Sequence, residues 1–249
     1  MKKPIQLITY LALLCFLYPN QGKSQARSSI SIGLRSHFGG MQGINNIINQ
    51  YNDSRDWLDN SLGNQRFQNG FEIGLQKSSE DFGFSMLKYF RVWNVSTAKG
   101  TTPSGEEFTR KLRTRVGGLE LVDFWYTPIH IAGFNIGGGI MPMGGGIYRV
   151  HTKLDGEKWR KLFLSDLEAN GEKGFFATYH AFSNFHIDVT REIGNNDLHI
   201  QFLYTRSWFN DEYNLIYVNN ELNPSSFNSA NYRQKHSQNN YGLKLILIL

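Results

Sequence analysis

Apolar and polar residues alternate in eight separate segments of this 249-residue chain, and this pattern constrains its fold more than any other feature. Successive side chains of a β-strand point to opposite faces, so a period of two predicts a strand with one apolar and one polar face. The pattern therefore predicts an all-β fold of eight antiparallel strands. These predicted strands cover residues 28–38, 67–77, 82–98, 108–126, 134–152, 175–189, 198–208 and 241–249.

The connections between these strands differ in length in a regular way. In chain order they cover residues 39–66, 79–81, 99–107, 127–133, 153–173, 190–196 and 209–236. With eight strands, every odd connection lies at one end of the sheet and every even connection at the other. We therefore expect the long loops at one end, and the short turns with both chain termini at the other. This asymmetry is typical of outer-membrane barrels.

Two of the long loops contain apolar residues at helical spacing, which predicts amphipathic helices. The first helix covers residues 43–51 and is expected to act as a lid or to pack on the rim. Its apolar positions are Ile44, Ile47, Ile48 and Tyr51. The second is expected in the loop at residues 153–173. Its apolar positions are Trp159, Leu162, Phe163 and Leu167, with Lys158, Arg160 and Lys161 beside them.

The first 26 residues have the layout of a secretory signal peptide. Two lysines precede an apolar stretch over residues 5–18, and small residues precede a cleavage point after Ala26. The stretch is shorter than the about 20 residues of a spanning helix, although an uncleaved anchor is the alternative. A lipid anchor on Cys15 is rejected, because a leucine precedes it where a small residue is needed. We predict a cleaved signal peptide over residues 1–26 and one exported domain over residues 27–249.

Charge and cysteine content narrow the possible partners of the exported domain. The signal segment contains three of the 26 basic residues and none of the 21 acidic ones, so the domain carries 23 basic against 21 acidic residues. It has no block of Lys and Arg with interleaved aromatics, and we predict no nucleic-acid partner. The only cysteine leaves with the signal, which excludes disulfides and Cys-based metal sites.

Alternation alone does not distinguish a membrane barrel from a soluble barrel of the lipocalin type, because either face can point inward. The polar face decides in favour of the membrane barrel, since it carries charges that a dry soluble core does not tolerate. The expected inward residues are Arg35, Glu72, Glu120, His180, His186, Asp188, His199 and Lys244. Aromatic residues near the strand ends are expected to form the interfacial girdles. They are Tyr89, Trp93, Trp125, Tyr126, Tyr148, Tyr204, Trp208 and Tyr241.

Lys88 conflicts with this arrangement, because it falls on the lipid-facing side between Met86 and Phe90. A lysine in mid-membrane costs about 2–4 kcal/mol, and less near the interface. Either Lys88 extends to the interface or a bulge at residues 87–88 reverses the faces of the strand. The sequence leaves both alternatives open.

The chain resembles the small outer-membrane β-barrels of Bacteroidota, which share their architecture with the OmpX protein and the OmpA membrane domain. The resemblance rests on the signal, the eight strands, the stretch 118–121 and the apolar alternation that ends at Leu249. It departs from the family pattern at Leu249, where an aromatic residue is usual. The resemblance implies an eight-stranded up-and-down transmembrane barrel with long extracellular loops, in the cell outer membrane. Because the chain stops at this last strand, we expect no appended peptidoglycan-binding domain of the OmpA kind.

Candidate chemistry is weak throughout the chain. If the turn near Ile193 sets the register, Asp188 and His199 face each other inward, and a structural pair is favoured over a proton relay. The segment 180–184 superficially resembles the His-x-Ser-Asn motif of lipid A deacylases. However, His180 and Ser183 are three residues apart and would lie on opposite faces of a strand.

Metal and nucleotide sites are also disfavoured. His180 and His186 are six residues apart, about 20 Å along a strand, which is too far to bind one ion. The glycine clusters at residues 137–139 and 144–146 lack the features of a P-loop, so we expect them to allow curvature or close packing. Pro142 between them suggests that the membrane-crossing part of that strand ends there.

These observations predict a non-enzymatic outer-membrane barrel with a filled interior, since eight strands leave room only for side chains. No catalytic, cofactor-binding or metal-binding residues are assigned. Its expected partners are outer-membrane lipid and other envelope proteins, bound through the loops at residues 39–66, 153–173 and 209–236. The alternatives are an outer-membrane lipid-modifying hydrolase and a soluble periplasmic barrel that carries a ligand.

Overall fold

The computed structural model describes residues 27–39, 42–78, 81–162, 179–207, 212–214, 216–224, 233–235 and 239–249. The predicted signal peptide therefore lies outside the described residues. The strands are β1 (Arg27–Phe38), β2 (Leu58–Asn60), β3 (Phe67–Ser78), β4 (Phe82–Thr101), β5 (Glu107–Ile131), β6 (Phe134–Leu154), β7 (Arg160–Leu162), β8 (Tyr179–Ile193), β9 (Asn196–Ser207), β10 (Glu212–Asn214), β11 (Arg233–Lys235) and β12 (Asn240–Ile248). The helices are α1 (Gln42–Asp53) and α2 (Ile216–Leu222).

Eight of these strands form a closed antiparallel ring in the order β1, β3, β4, β5, β6, β8, β9 and β12. The last strand pairs with the first, with Leu245 opposite Leu34, so the ring has no free edge. Each ring strand corresponds to one predicted segment, and the predicted all-β fold of eight antiparallel strands is confirmed. Residues 175–178 and 208, which the sequence also assigned to strands, lie outside the described residues.

Three neighbouring strands are longer than the rest and extend beyond the ring. β4, β5 and β6 contain 20, 25 and 21 residues, whereas β1, β3 and β9 contain 12 each. Their extra length lies on the side of the long loops, where β2 adds to β4 and β7 adds to β6. The result is a three-stranded wall on one side of the loop end. Neither described helix is long and apolar enough to cross a membrane.

In the half of the ring that adjoins the short turns, most of the described inward side chains are polar or charged, and apolar ones such as Ile246, Ile248 and Trp125 lie among them. The expected inward residues Arg35, Glu72, Glu120, His186, Asp188, His199 and Lys244 are all buried. The side chain of His180 lies outside the described part. The outward face carries the apolar partners of the alternation, such as Ile32, Ile73 and Leu245, which are 42–49% exposed. The prediction of a polar interior and an apolar outer face is therefore confirmed for the described residues.

A β-bulge resolves the position of Lys88. Between Gly74 and Leu75 the pairing of β3 with β4 shifts, so that Leu87 is the extra residue. Leu87 adopts a φ of 56° and is 51% exposed, and Lys88 is consequently turned into the ring, where it is 1% exposed. The lipid-facing placement of Lys88 was wrong, and the alternative of a bulge is confirmed.

Two aromatic residues assigned to the girdles face inward. Trp125 is 4% exposed and Tyr148 is fully buried. β5 pairs irregularly with β6 around Val122, and this reverses which residues of β5 point inward from Asp123 onward. The outward placement is confirmed for Tyr89, Trp93, Tyr126, Tyr204 and Tyr241, which are all at least 37% exposed. Trp208 lies outside the described residues.

β6 continues past Pro142 to Leu154, in line with its predicted range of residues 134–152, and the end of the membrane-crossing part at Pro142 stays a prediction. The strand shifts register against β8 between Met141 and Gly144. The interpretation of the glycines is supported at Gly139, where an added Cβ would lie 2.3 Å from the ring of His186. A larger residue there would displace a buried imidazole.

Candidate functional site

The interior of the ring contains a connected network of ions. Glu120 on β5 is its centre: one carboxylate oxygen accepts a hydrogen bond from Arg35 at 2.5 Å, and the other accepts one from Lys244 Nζ at 2.9 Å. Glu72 Oε2 lies 3.2 Å from Lys244 Nζ and 3.5 Å from Arg35 Nη1. Arg35 and Lys244 are direct cross-strand neighbours of like charge, so the two glutamates offset a repulsion that would otherwise destabilise the β1–β12 seam.

A second group of ions surrounds Asp123. Its carboxylate accepts from Lys88 Nζ at 2.7 Å and pairs with His186 Nε2 at 2.7 Å. The other ring nitrogen of His186 lies 2.6 Å from Asp188, which also accepts from Gln201 at 2.6 Å. Because ionised carboxylates only accept hydrogen bonds, both ring nitrogens of His186 donate and the imidazole is a cation.

The two groups form a neutral set that links strands around the ring. Asn184 joins them to β8 and β9, since it donates to Glu120 at 2.7 Å and accepts from Thr205 at 2.7 Å. The buried cations and anions of the described residues are equal in number. They are Arg35, Lys88, Lys244 and His186 against Glu72, Glu120, Asp123 and Asp188. Asp123 belongs to this set, although it was not among the residues expected to face inward.

The predicted pairing of Asp188 with His199 was wrong. β8 and β9 are joined at Gly194 and Asn195, and this turn places Asp188 opposite Gln201, and His199 opposite Thr190. The register is therefore two residues away from the predicted one. His199 is buried and contacts the indole of Trp125 edge-on, with ring centroids 5.5 Å apart.

An apolar cap closes the loop end of the interior. The predicted helix over residues 43–51 is confirmed as α1, which lays its apolar side on the inner face of the long strands. The short helix α2 packs beside it, and Asn223 donates to the carbonyl of Ile47 at 3.2 Å. The helix α2 was not predicted from the sequence. The cap consists of Ile44, Ile47, Ile48, Tyr51, Leu62, Val218 and Leu222 against Phe90, Val92, Ala98, Leu112, Val116, Tyr148 and Val150.

Two arginines fasten the cap to the wall. Arg55 donates to the carbonyl of Leu222 at 2.9 Å, and its guanidinium lies 4.0 Å from the ring centroid of Tyr51. Arg110 of β5 donates to the carbonyl of Glu221 at 3.1 Å. Burial raises the pKa of the Tyr51 hydroxyl, and the two arginines partly oppose this shift. The contacts hold α1 and α2 against the strands as one packed unit.

The second predicted helix was wrong in its described part. Residues Arg160–Leu162 form β7, which pairs with β6 so that Leu162 lies opposite Val150. Leu162 is buried in the same apolar cluster as the cap, and pairing at the edge of the long β6 accounts for its extended backbone. Trp159 stacks on Arg113 with 4.4 Å between the guanidinium and the ring centroid. Phe163 and Leu167 lie outside the described residues.

The candidate catalytic and metal residues acquire no new support. Ser183 donates its hydroxyl to the carbonyl of Pro142 at 2.8 Å, and the side chain of His180 is not described. In the described part of the chain, no group of three or more His, Cys, Asp or Glu side chains is arranged to hold a metal ion. No protein-family model and no curated protein matches this sequence.

Proposed function

We propose that the chain spans the outer membrane of a Gram-negative bacterium as an eight-stranded up-and-down barrel, and acts without catalysis as a binding component of the envelope. The observation that carries the proposal is the inverted polarity of the ring. Among the described residues, the interior holds eight buried ions, whereas the exterior carries 27 large apolar side chains that are more than a third exposed. Placing such a side chain in an apolar medium is worth about 1.5–3 kcal/mol relative to water.

This polarity argues against the soluble carrier. A lipocalin-type barrel places its apolar face inward around a ligand, but here the described inner face carries ion pairs and the cap. A monomeric soluble protein rarely exposes a contiguous apolar patch larger than a few hundred Å². An apolar belt that runs around the ring and faces hydrocarbon explains the exposed face without a second protein.

The filled interior argues for action at the loop end. The ion network and the cap occupy the two halves of the interior, so the geometry favours neither a wide pore nor an internal substrate site. The cap and the long wall, which include the described parts of the loops at residues 39–66, 153–173 and 209–236, form a rigid base at this end. Binding residues commonly lie on loops that a rigid scaffold positions. We therefore assign partner binding, by another envelope protein or a surface ligand, to this end.

The membrane assignment is tested by fractionation together with a gel shift. Full-length protein expressed in a Gram-negative host is expected to sediment with outer membranes and to stay there in high salt. Because a closed antiparallel ring resists detergent until heated, unboiled protein should migrate differently from boiled protein. Protein that stays in the soluble fraction without detergent and shows no heat-dependent shift would refute the proposal.

The loop-end assignment is tested by photo-crosslinking in intact cells. A photoreactive residue is placed at Asn49, which lies on the exposed side of α1. The same residue at Asn195, in the turn at the opposite end, is the matched control. We expect a discrete adduct from position 49 that position 195 does not give. The photoreactive residue is also placed at positions 106 and 155, which are exposed at the same loop end. If positions 49, 106 and 155 all give no adduct while the protein is folded, the assignment fails.

A further inference from the structure

An open groove of about 600 Å³ lies on the outer face of the three long strands, on the loop side of the apolar belt. We call it the arginine groove. Its floor is formed by four glycines and its sides by apolar residues and three arginines. The floor residues are Gly117, Gly118, Gly145 and Gly146, and the arginines are Arg91, Arg115 and Arg149. The backbone of these glycines forms a trough along the strands; Gly117 leaves it open outward, whereas a Cβ added at Gly146 would point into the ring, towards Val116 and Phe90.

The three arginines are held together by the strand register. Arg115 of β5 lies directly opposite Arg149 of β6, and Arg91 of β4 lies opposite Gly117, two residues along β5. Like charges that face each other across a ladder are destabilising. The Arg115 guanidinium is repelled by those of Arg91 and Arg149, and also by Arg113. The ring therefore maintains a concentration of positive charge that costs stability.

The described cross-strand neighbours of these arginines contain no acid to offset this charge. Arg115 is flanked by Trp93 on β4 and by Arg149 on β6, and Arg91 is flanked by Gly117 on β5. The Nε atom of Arg149 is buried and has no hydrogen-bond partner among the described residues. Towards the loops the same face continues with Lys111 opposite Lys153. The accumulated positive charge points to an anionic ligand.

The groove is amphipathic along its length. At the loop end it is cationic, and towards the belt it is lined by Tyr89, Leu119, Leu121 and Ile147. A ligand that fits both parts has an anionic head and an apolar tail. Arginine is suited to the head, because its planar guanidinium binds phosphate through two parallel hydrogen bonds.

We propose that the arginine groove binds a lipid of the outer leaflet, with an exposed headgroup phosphate on Arg91, Arg115 and Arg149 and an acyl chain along the glycine floor. This proposal rests on the proposed function, because only a membrane-spanning ring brings the groove level with the lipid headgroups. The groove then gives the barrel a preferred lipid neighbour on the face of β4–β6, next to the wall that carries the cap.

The test measures lipid binding to the detergent-purified full-length protein by native mass spectrometry. The probes are lipid A with both phosphates and the same lipid after removal of both phosphates, so that the acyl chains are identical. Wild-type protein is expected to bind the phosphorylated lipid at least about tenfold more tightly than the dephosphorylated lipid, since a charge-assisted contact is worth more than 1.4 kcal/mol. Equal binding of the two lipids would overturn the proposal.

Variants locate the site. Arg115→Gln with Arg149→Gln should abolish the preference without loss of folding, because it also removes the cross-strand repulsion. Lys99→Gln with Lys158→Gln removes the same charge from two exposed positions outside the groove and should keep the preference. If the arginine pair keeps the preference, or if the lysine pair loses it equally, the site is not this groove.

A third variant separates the acyl chain from the phosphate. The nearest atom to a Cβ added at Gly117 is 3.5 Å away, which is ordinary contact, so Gly117→Leu should fold and fill the floor. It should weaken binding of phosphorylated lipid A but leave competition by inorganic phosphate unchanged. If it leaves lipid binding unchanged, the floor does not hold the acyl chain.

The heat-dependent gel shift is recorded for every sample. Protein that sediments with outer membranes and shifts on heating but shows no lipid preference contradicts only the lipid site, whereas loss of the shift contradicts the proposed function itself.

Discussion

Replacing Glu120 with glutamine is expected to destabilise the folded ring by about 3–5 kcal/mol, the cost of leaving a buried cation without its partner. The Glu120 carboxylate accepts hydrogen bonds from Arg35, Lys244 and Asn184, and it is 1% exposed. A neutral amide keeps the volume but removes the charge that offsets the repulsion between Arg35 and Lys244. Urea unfolding of the purified protein, followed by the fraction of the unboiled folded band, measures the change.

Two further variants make this result specific. Glu106→Gln changes an exposed glutamate in the loop between β4 and β5 and should leave the urea midpoint unchanged. Glu120→Gln combined with Lys244→Met removes one anion and one cation, and it should recover part of the lost stability in a double-mutant cycle. If Glu120→Gln shifts the midpoint no more than Glu106→Gln does, the ion network does not stabilise the ring.

The alternation of the sequence predicts most of this network because a regular strand assigns each residue to a face. Arg35, Glu72 and Lys244 lie on strands that keep a regular period of two up to these residues, and their inward position follows from the pattern alone. The failures lie where the ladder shifts. The extra residue Leu87 turns Lys88 inward, and the irregular pairing near Val122 does the same for Asp123 and Trp125. In the pattern of apolar and polar residues, a bulge is visible only as a residue that falls on the unexpected face of the strand.

Register and loop structure were less predictable for a different reason. The pairing of Asp188 with Gln201 depends on whether the β8–β9 turn has two residues or more, and both choices keep the same faces inward. β7 forms because β6 continues past the ring and offers a free edge. This is a tertiary effect, and it cannot be predicted from the spacing of apolar residues near Trp159. By contrast, α1 was predictable, because its four buried apolar residues recur at helical spacing within its own sequence.

The arginine groove was also missed, because its charges come from three strands. Each arginine taken alone is an ordinary outward residue within an alternating strand. Only the β4–β5 and β5–β6 registers place Arg91, Arg115 and Arg149 side by side. Such a patch can be predicted only when the register between the strands is known. The alternation of apolar and polar residues does not determine that register.

Replacing Ile32 with arginine is expected to prevent stable insertion of the barrel. Ile32 lies on the outward face of β1 between Ile73 and Leu247, and all three are more than a third exposed. In the proposed orientation this site is deep in the hydrocarbon, where an arginine costs about 2–4 kcal/mol.

Ile131→Arg is the matched control. Ile131 is 58% exposed, but it adjoins the turn at Gly133, at the interface. There the cost of an arginine falls to about 0–1 kcal/mol. We expect Ile32→Arg to reduce the heat-shifted outer-membrane form several-fold and Ile131→Arg to leave it near the wild-type level. A soluble barrel would tolerate both changes equally, because an arginine on a water-exposed strand costs little at either position, so equal yields of the two variants would contradict the membrane assignment.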